Sequence, residues 1–193
     1  MSQRDEERYI LEFFGDRVGR VLEIGAYHPV TFSNSKALID KGWEAVLVEP
    51  SAKCLPAIKE YYKDSKTVQI VPYAIGVTNS PMKFYDSAGA VATALEFHYN
   101  KWRVAQLDYE ETQVPCITWE RFYSIYPGKF EFISIDTEGM DYSILSQIDL
   151  DKTETELICI EYTYNQAEII AYLSKYNFRK VVLINSENLL VSR

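Results

Sequence analysis

Short apolar runs in this chain end repeatedly in carboxylates. Val21-Leu22-Glu23-Ile24 leads into Gly25-Ala26, Glu44 to Val48 into Glu49-Pro50, Phe132-Ile133-Ser134-Ile135 into Asp136-Thr137-Glu138-Gly139, and Leu157 to Ile160 into Glu161. If these runs are parallel strands of one sheet, Glu23, Glu49, Asp136 and Glu161 gather at one edge, with Glu138 just beyond it. Carboxylates placed together raise one another's pKa, and they are tolerated where a cation, a metal or bound donors offset them. Helix capping is the competing use. Asp136 or Thr137 at the start of a helix near Met140 would satisfy orphan amides, and Asp141 there would complement the helix dipole.

The spacing narrows the cation. Val21 to Pro50 reads as one βαβ unit, and an acidic residue ending its second strand, Glu49, can grip both hydroxyls of a ribose. A dinucleotide needs two more glycines in the first loop, where this chain has Tyr27 and Val30, so NAD is disfavoured. S-adenosylmethionine has the ribose without phosphate, and its sulfonium and amino group are the cations that acidic strand ends would welcome. The candidate cofactor contacts are Glu23, Gly25, Ala26, Tyr27, Asn34, Glu49, Pro50 and Asp136. Ala74 joins them from the segment Tyr73 to Gly76, expected as a loop at the third strand's carboxyl end, where a class I methyltransferase fold holds an adenine. A Mg²⁺ ion on Asp136, Glu138 or Glu161 is the alternative counter-charge, since hard cations prefer oxygen.

Proton transfer has four candidates, His28, Asp136, Glu138 and Glu161. His28 lies in the first loop and titrates near neutrality, which suits a general base; a staple to the loop's own backbone is the other reading. His98 is a weaker candidate further along.

The elements that must position these groups follow from periodicity. Helices are expected over Asp5 to Phe14, Lys36 to Lys41 (capped from Ser33-Asn34-Ser35), Ser51 to Tyr62, Thr118 to Tyr126, after Gly139, and Gln166 to Tyr176. Further strands are expected at Thr67 to Val71, Met82 to Tyr85 and Val114 to Ile117, and Val181 to Val191 reads as a closing hairpin. Residues 86–112 show poor periodicity with Phe97, Tyr99 and Trp102 among them. That stretch is either a substrate lid or a loop anchored to the core by its aromatics.

Composition bounds the rest. A chain of 193 residues, 47% apolar, fits a single domain over 1–193 that needs no disulfides. The net charge of -8, from 28 acidic and 20 basic side chains, repels phosphate backbones and argues against nucleic-acid partners. Cys54, Cys116 and Cys159 show no zinc spacing and read as reduced structural residues. The charged start, Met1 to Arg8, lacks an apolar signal core, and no run is long enough for a bilayer; the expected location is cytoplasmic, without membrane association.

Phe132 through Leu145, with Ile135-Asp136-Thr137-Glu138-Gly139 at its centre, followed by Leu157 to Glu161, resembles the strand-IDxEG-helix signature of the FkbM family of S-adenosylmethionine-dependent methyltransferases. Gly25-Ala26-Tyr27-His28-Pro29 with Ser33-Asn34-Ser35 and Gly42-Trp43 is similar to a subset of that family carrying His-Pro and Ser-Asn-Thr around the first loop. Pro29 stands where the common family loop has a second glycine, and Ser35 stands in place of the subset's Thr. The resemblance covers Val21 to Val191. It implies an α/β fold of class I, a three-layer Rossmann-like sandwich on a seven-stranded, mostly parallel sheet with the last strand antiparallel. It also implies cofactor contact by Glu23, Gly25, Glu49 and Asp136, and methylation of a hydroxyl on a sugar or related small polar molecule. A Mg²⁺-dependent variant of the reaction, a non-catalytic ligand-binding module on the same fold, and more distantly a nicotinamide oxidoreductase remain as rivals.

Overall fold

The computed structural model describes residue 2, residues 4–105 and residues 108–193. Gln106 and Leu107 of the expected lid, and Met1 and Gln3 of the charged start, lie outside the described residues.

Seven strands form the central sheet: β1 (Arg20–Ile24), β2 (Glu44–Val48), β3 (Val68–Val71), β8 (Phe132–Ile135), β9 (Leu157–Glu161), β10 (Lys180–Ile184) and β11 (Asn188–Ser192). Their order is β10-β11-β9-β8-β1-β2-β3. The five strands from β9 to β3 are parallel, while β11 runs antiparallel to both β9 and β10. The order reverses between β1 and β8, and this switch point opens a crevice beyond the strands' carboxyl ends.

Strand periodicity divides the core in two. Leu22, Ile24, Val46, Val48, Ile133 and Ile135 face a layer containing α5 (Trp119–Ile125), α6 (Asp141–Leu145) and α7 (Gln166–Lys175). Val21, Ala45, Leu47, Phe132 and Leu157 face α1 (Glu6–Phe14), α2 (Lys36–Asp40) and α3 (Leu55–Tyr61). Both faces are covered, so the parallel strands read as nearly continuous apolar runs. No helix among the described residues is long and apolar enough to cross a membrane.

Three local expectations change. Tyr73 to Gly76 contains a strand, β4 (Ala74–Gly76), paired in parallel with β7 (Cys116–Thr118). The single strand expected at Val114 to Ile117 is split at Pro115, which has no N–H for a ladder, into β6 (Glu110–Val114) and β7. β6 pairs antiparallel with β5 (Met82–Asp86), so the span 86–112 is the far end of a hairpin carrying helix α4 (Glu96–Trp102). Tyr85 and Tyr99 stack at 4.3 Å and Tyr109 meets Tyr99 edge-on, tying α4 to its own hairpin.

Candidate active site

The crevice is built around one close approach. Gly25 has φ +90°, and a Cβ there would lie 1.7 Å from the Asp136 carbonyl oxygen. Only glycine lets β1 and β8 remain joined at this level, where the Asp136 amide donates to Ile24 O at 3.0 Å. The Gly25 and Ala26 amides both donate to Val48 O at 3.0 Å, which brings in the end of β2. Tyr27, at φ +45°, then donates its amide to Glu49 Oε2 at 2.8 Å, and the Ser51 amide donates to Glu49 Oε1 at 2.7 Å. Burial raises the Glu49 carboxyl to about 7 against the lowering effect of these two amides, with the Asp86 charge adding to the rise.

Three adjoining cavities run along the strand ends, and Gly25 lines each of them. The first, of about 40 Å³, is walled by Ile24, Val48, Pro50, Ala74, Ile75, Phe84 and Met140 and is almost wholly apolar. The second, of about 50 Å³, holds Glu49, Tyr27, Asp136 and Glu138. The third, of about 320 Å³, is walled by Ala26, Tyr27, Phe32, Lys101, Trp102, Asp136, Glu138, Glu161, Glu187 and Asn188.

The signature loop after β8 sorts its acids by role. Asp141 is consumed locally: its carboxylate accepts from the Thr137 amide at 2.8 Å, the Thr137 hydroxyl at 3.0 Å and the Gly139 amide at 3.0 Å. It therefore braces the turn that leads into α6, whose N-cap residue, Met140, makes no side-chain cap, and Asp136 takes no part in these bonds. Asp136 faces the cavities, and burial together with Asp141, Glu161 and Glu138 pushes its carboxyl well above the usual range. Glu161 is raised to about 8 by burial and then by Asp141 and Glu138, and its Oε2 is buried with no hydrogen-bond partner among the described residues. Glu138, at φ +52°, is held by its carbonyl, which accepts from the Thr93 hydroxyl at 2.9 Å. No three His, Cys, Asp or Glu side chains among the described residues are placed to hold a metal ion.

Three expected contacts turn away from the crevice. Glu23 alternates with Leu22 and Ile24, so it projects from the sheet face instead of its edge. There its Oε1 accepts from the Asn34 amide at 2.7 Å, and its Oε2 from the hydroxyls of Ser33 at 3.1 Å and Ser35 at 2.6 Å. Ser35 is thereby diverted from capping α2, and the Lys36 amide uses Ser33 Oγ at 3.1 Å. Asn34 sends Nδ2 to Ser134 Oγ at 3.1 Å, inside the same layer. His28 staples its loop: Nδ1 accepts the Val30 amide at 3.1 Å and the Thr31 amide at 3.0 Å. The proton of the neutral ring is then on Nε2 and the remaining lone pair is occupied, which leaves no free basic nitrogen.

Lys101 from α4 and Glu187 and Asn188 from the β10–β11 turn join the cavity without having been singled out in the sequence, whereas Trp102 was marked among the aromatics of the span 86–112. His98, the weaker histidine candidate, is also drawn in. It is 1% exposed, packs against Gly139 and places Nδ1 3.4 Å from Glu138 Oε2, outside hydrogen-bond geometry. The aromatic run Phe97-His98-Tyr99 with Trp102 was the signal available for α4, and the turn was expected within the closing hairpin, but nothing in the sequence tied it to the crevice.

The raised carboxyls bear on stability. Folding holds protons on Glu49, Glu161 and Asp136 at pH values where an unfolded chain has released them, so stability declines as pH rises above the ordinary glutamate value of 4.5. Glu49 alone is expected to remove about 1.4 kcal/mol per pH unit up to about 7. Thermal melts of the ligand-free protein should show Tm falling by roughly 3–6 °C per pH unit from Glu49 alone across this window. A flat or rising Tm would mean that these carboxyls are solvated.

A switch-point crevice with an acid after β2, an apolar neighbour and acids after β8 and β9 defines a class I S-adenosylmethionine-dependent methyltransferase. The chain belongs to the methyltransferase FkbM domain family, whose model matches residues 23–180. No curated protein matches it. Among solved structures it is similar to the methyltransferase FkbM of Methylobacillus flagellatus KT, at 14% identity and TM-score 0.52 over 91% of this chain and 44% of that one. It is also similar to SAH-bound PaMTH1 of Podospora anserina, at 14% identity and TM-score 0.51 over 100% and 79% of the two chains. The ribosomal protein L11 methylase of Lactobacillus delbrueckii subsp. bulgaricus matches at 12% identity and TM-score 0.51, over 97% and 76%. At these identities the likeness establishes the fold.

The residues present fit the cofactor of this class. The apolar cavity matches a purine ring, and each Glu49 oxygen keeps a lone pair after accepting its amide. The carboxylates around the third cavity outnumber its single ammonium, Lys101, among the described residues.

Proposed function

We propose that this chain is an O-methyltransferase that uses S-adenosylmethionine to methylate a hydroxyl of a sugar or a related small polar molecule. The observation that carries this reading is the series of cavities sharing Gly25: an apolar one, one holding Glu49 with Asp136 and Glu138, and a larger one that adds Glu161 and Glu187. Bound S-adenosylmethionine supplies a methyl group on a cationic sulfur, open to an oxygen nucleophile. Ile75, Phe84 and Met140 would enclose the adenine beside Ala74 and Pro50, Glu49 would accept from the ribose hydroxyls, and Gly25 to Tyr27 with Asp136 would hold the methionine end. Glu23, Asn34 and His28 act as positioning residues that hold the loop. The span 86–112 serves as the lid: Trp102 and Val91 close the large cavity from water, and orientation inside it supplies most of the rate. Three buried free cysteines suit a reducing compartment, the cytoplasm.

Glu161 is the general base in this reading. Its carboxyl, held near 8 in the free protein, is matched to a hydroxyl proton better than an ordinary carboxylate, and Oε2 has no other partner. The rate should rise with pH along a limb at or below about 8, since the base form is the ionised one and a nearby sulfonium favours it. Glu161→Gln should lower kcat by roughly 10²–10⁴-fold and remove that limb. A variant with an unchanged pH profile would transfer the role to Asp136 or Glu138.

Calorimetric titration with S-adenosylmethionine, with NAD as control, tests the reading, followed by an acceptor screen that begins with saccharides. Micromolar binding of S-adenosylmethionine alone, with methyl transfer to a saccharide hydroxyl, is expected. Absence of binding by folded, ligand-free protein would overturn the assignment, and binding without turnover on any acceptor would point to a ligand-binding module.

A further inference from the structure

The large cavity extends past the strand ends that would hold the cofactor. Its far wall is formed by Lys101 and Trp102 of α4, Glu161 at the end of β9, and Glu187 in the turn before β11. Asn188 pairs with Glu161 across the ladder, and the Tyr162 amide donates to Glu187 O at 3.1 Å, so Glu161 and Glu187 are close neighbours. This wall has unused hydrogen-bonding capacity. Trp102 Nε1, Glu161 Oε2 and Glu187 Oε2 are buried without hydrogen-bond partners among the described residues, and behind Glu138 so is Nδ1 of His98, whose side chain is 2% exposed.

Charge decides what this wall accepts. Four carboxylates, Asp136, Glu138, Glu161 and Glu187, share the cavity with one ammonium. The Lys101 ammonium bonds to the Tyr164 hydroxyl at 3.1 Å and lies 4.8 Å from the Trp102 ring centroid. Glu187, whose side chain is about a third exposed, pairs with Arg4 at 3.6 Å from Oε1, while its Oε2 has no hydrogen-bond partner among the described residues. The acids nearest Gly25 have the cofactor's own cationic groups to offset them. Glu187, at the other end, has only the exposed Arg4. An anionic acceptor would meet several like charges, a neutral one could offer Glu187 Oε2 only a hydroxyl, and a cation would add a charge-assisted hydrogen bond there.

Resting on the methyltransferase reading above, we propose that the acceptor is an amino alcohol of the amino-sugar or aminocyclitol class. Its ammonium pairs with Glu187, its reactive hydroxyl lies at Glu161, and its ring packs on Trp102. The cavity selects against phosphorylated and carboxylated sugars.

The test measures acceptor binding without turnover. Protein saturated with S-adenosylhomocysteine is titrated by saturation-transfer NMR with glucosamine, glucose and glucose 6-phosphate, below the amine's pKa. Glucosamine is expected to bind roughly tenfold tighter than glucose, the margin of one partly buried ion pair, and glucose 6-phosphate weakest of the three. In Glu187→Gln the margin over glucose should collapse, with S-adenosylhomocysteine affinity reporting that the variant is folded. Should the variant not fold, the wild-type ranking still decides. Equal binding of the three sugars, or preference for the phosphate, with S-adenosylhomocysteine bound, would overturn the charge assignment alone. Failure of S-adenosylhomocysteine to bind would overturn the methyltransferase reading beneath it.

Discussion

Gly25→Ala is expected to abolish cofactor binding and to destabilise the protein by about 3 kcal/mol or more, combining overpacking against backbone with a left-handed φ. The added methyl would lie 1.7 Å from the Asp136 carbonyl oxygen and 2.8 Å from its carbon, and neither atom belongs to a side chain that can swing away. The end of β1 must then leave β8, which breaks the Asp136-to-Ile24 hydrogen bond and shifts the residue common to all three cavities. Thermal melting should show Tm lower by roughly 6–12 °C. Gly42→Ala is the control. Gly42 also has a positive φ, +94°, but an added Cβ there meets nothing within 4 Å, so it should cost only about 1 kcal/mol and leave binding intact. Equal losses in the two variants would show that φ, and not the approach to Asp136, makes position 25 special.

The second large effect is at Glu49. Its carboxylate accepts the Tyr27 amide at 2.8 Å and the Ser51 amide at 2.7 Å, and so links the first loop to the chain after β2 before any ligand arrives. Glu49→Ala removes the proposed ribose acceptor and leaves both amides unpaired in a buried place. Loss of charge-assisted hydrogen bonds worth about 1.5–3 kcal/mol each should weaken S-adenosylmethionine binding by roughly 10²-fold or more. Glu49→Gln separates the two jobs. It preserves shape and one amide link, so it should fold and bind with an intermediate loss. It should also reduce the decline of Tm with pH, because the carboxyl held near 7 is gone. Calorimetry and pH-dependent melts on the two variants check both statements, and wild-type affinity in Glu49→Ala would remove the ribose from this position.

Residues near a strand end were legible because the relevant physics is local. An apolar run followed by Gly25, Glu49, Asp136 or Glu161 locates a strand end, and the parallel arrangement brings the ends to one crevice. The IDxEG stretch specified its own turn, with Asp141 two and four residues from the amides it accepts. Glu23 shows where adjacency misleads. It sits one residue before the end of β1, and a one-residue offset in a strand reverses the direction of a side chain, so its carboxylate serves Ser33, Asn34 and Ser35 instead of the crevice. His28 was open between base and staple until the paths of Val30 and Thr31 put two amides on Nδ1.

The sequence by itself thus determined most of the strands and the acids at their ends, since strand period and strand-end chemistry depend on neighbours a few residues away, while the seven-stranded sheet came from the family resemblance and its switch point from the structure. Tertiary structure alone decided which acids face the crevice and what forms the opposite wall. Tyr164 holds Lys101 across 63 residues, and Glu187 joins Glu161 only because β11 inserts antiparallel between β9 and β10. Contacts over such separations are set by packing of the whole chain, and no local periodicity encodes them.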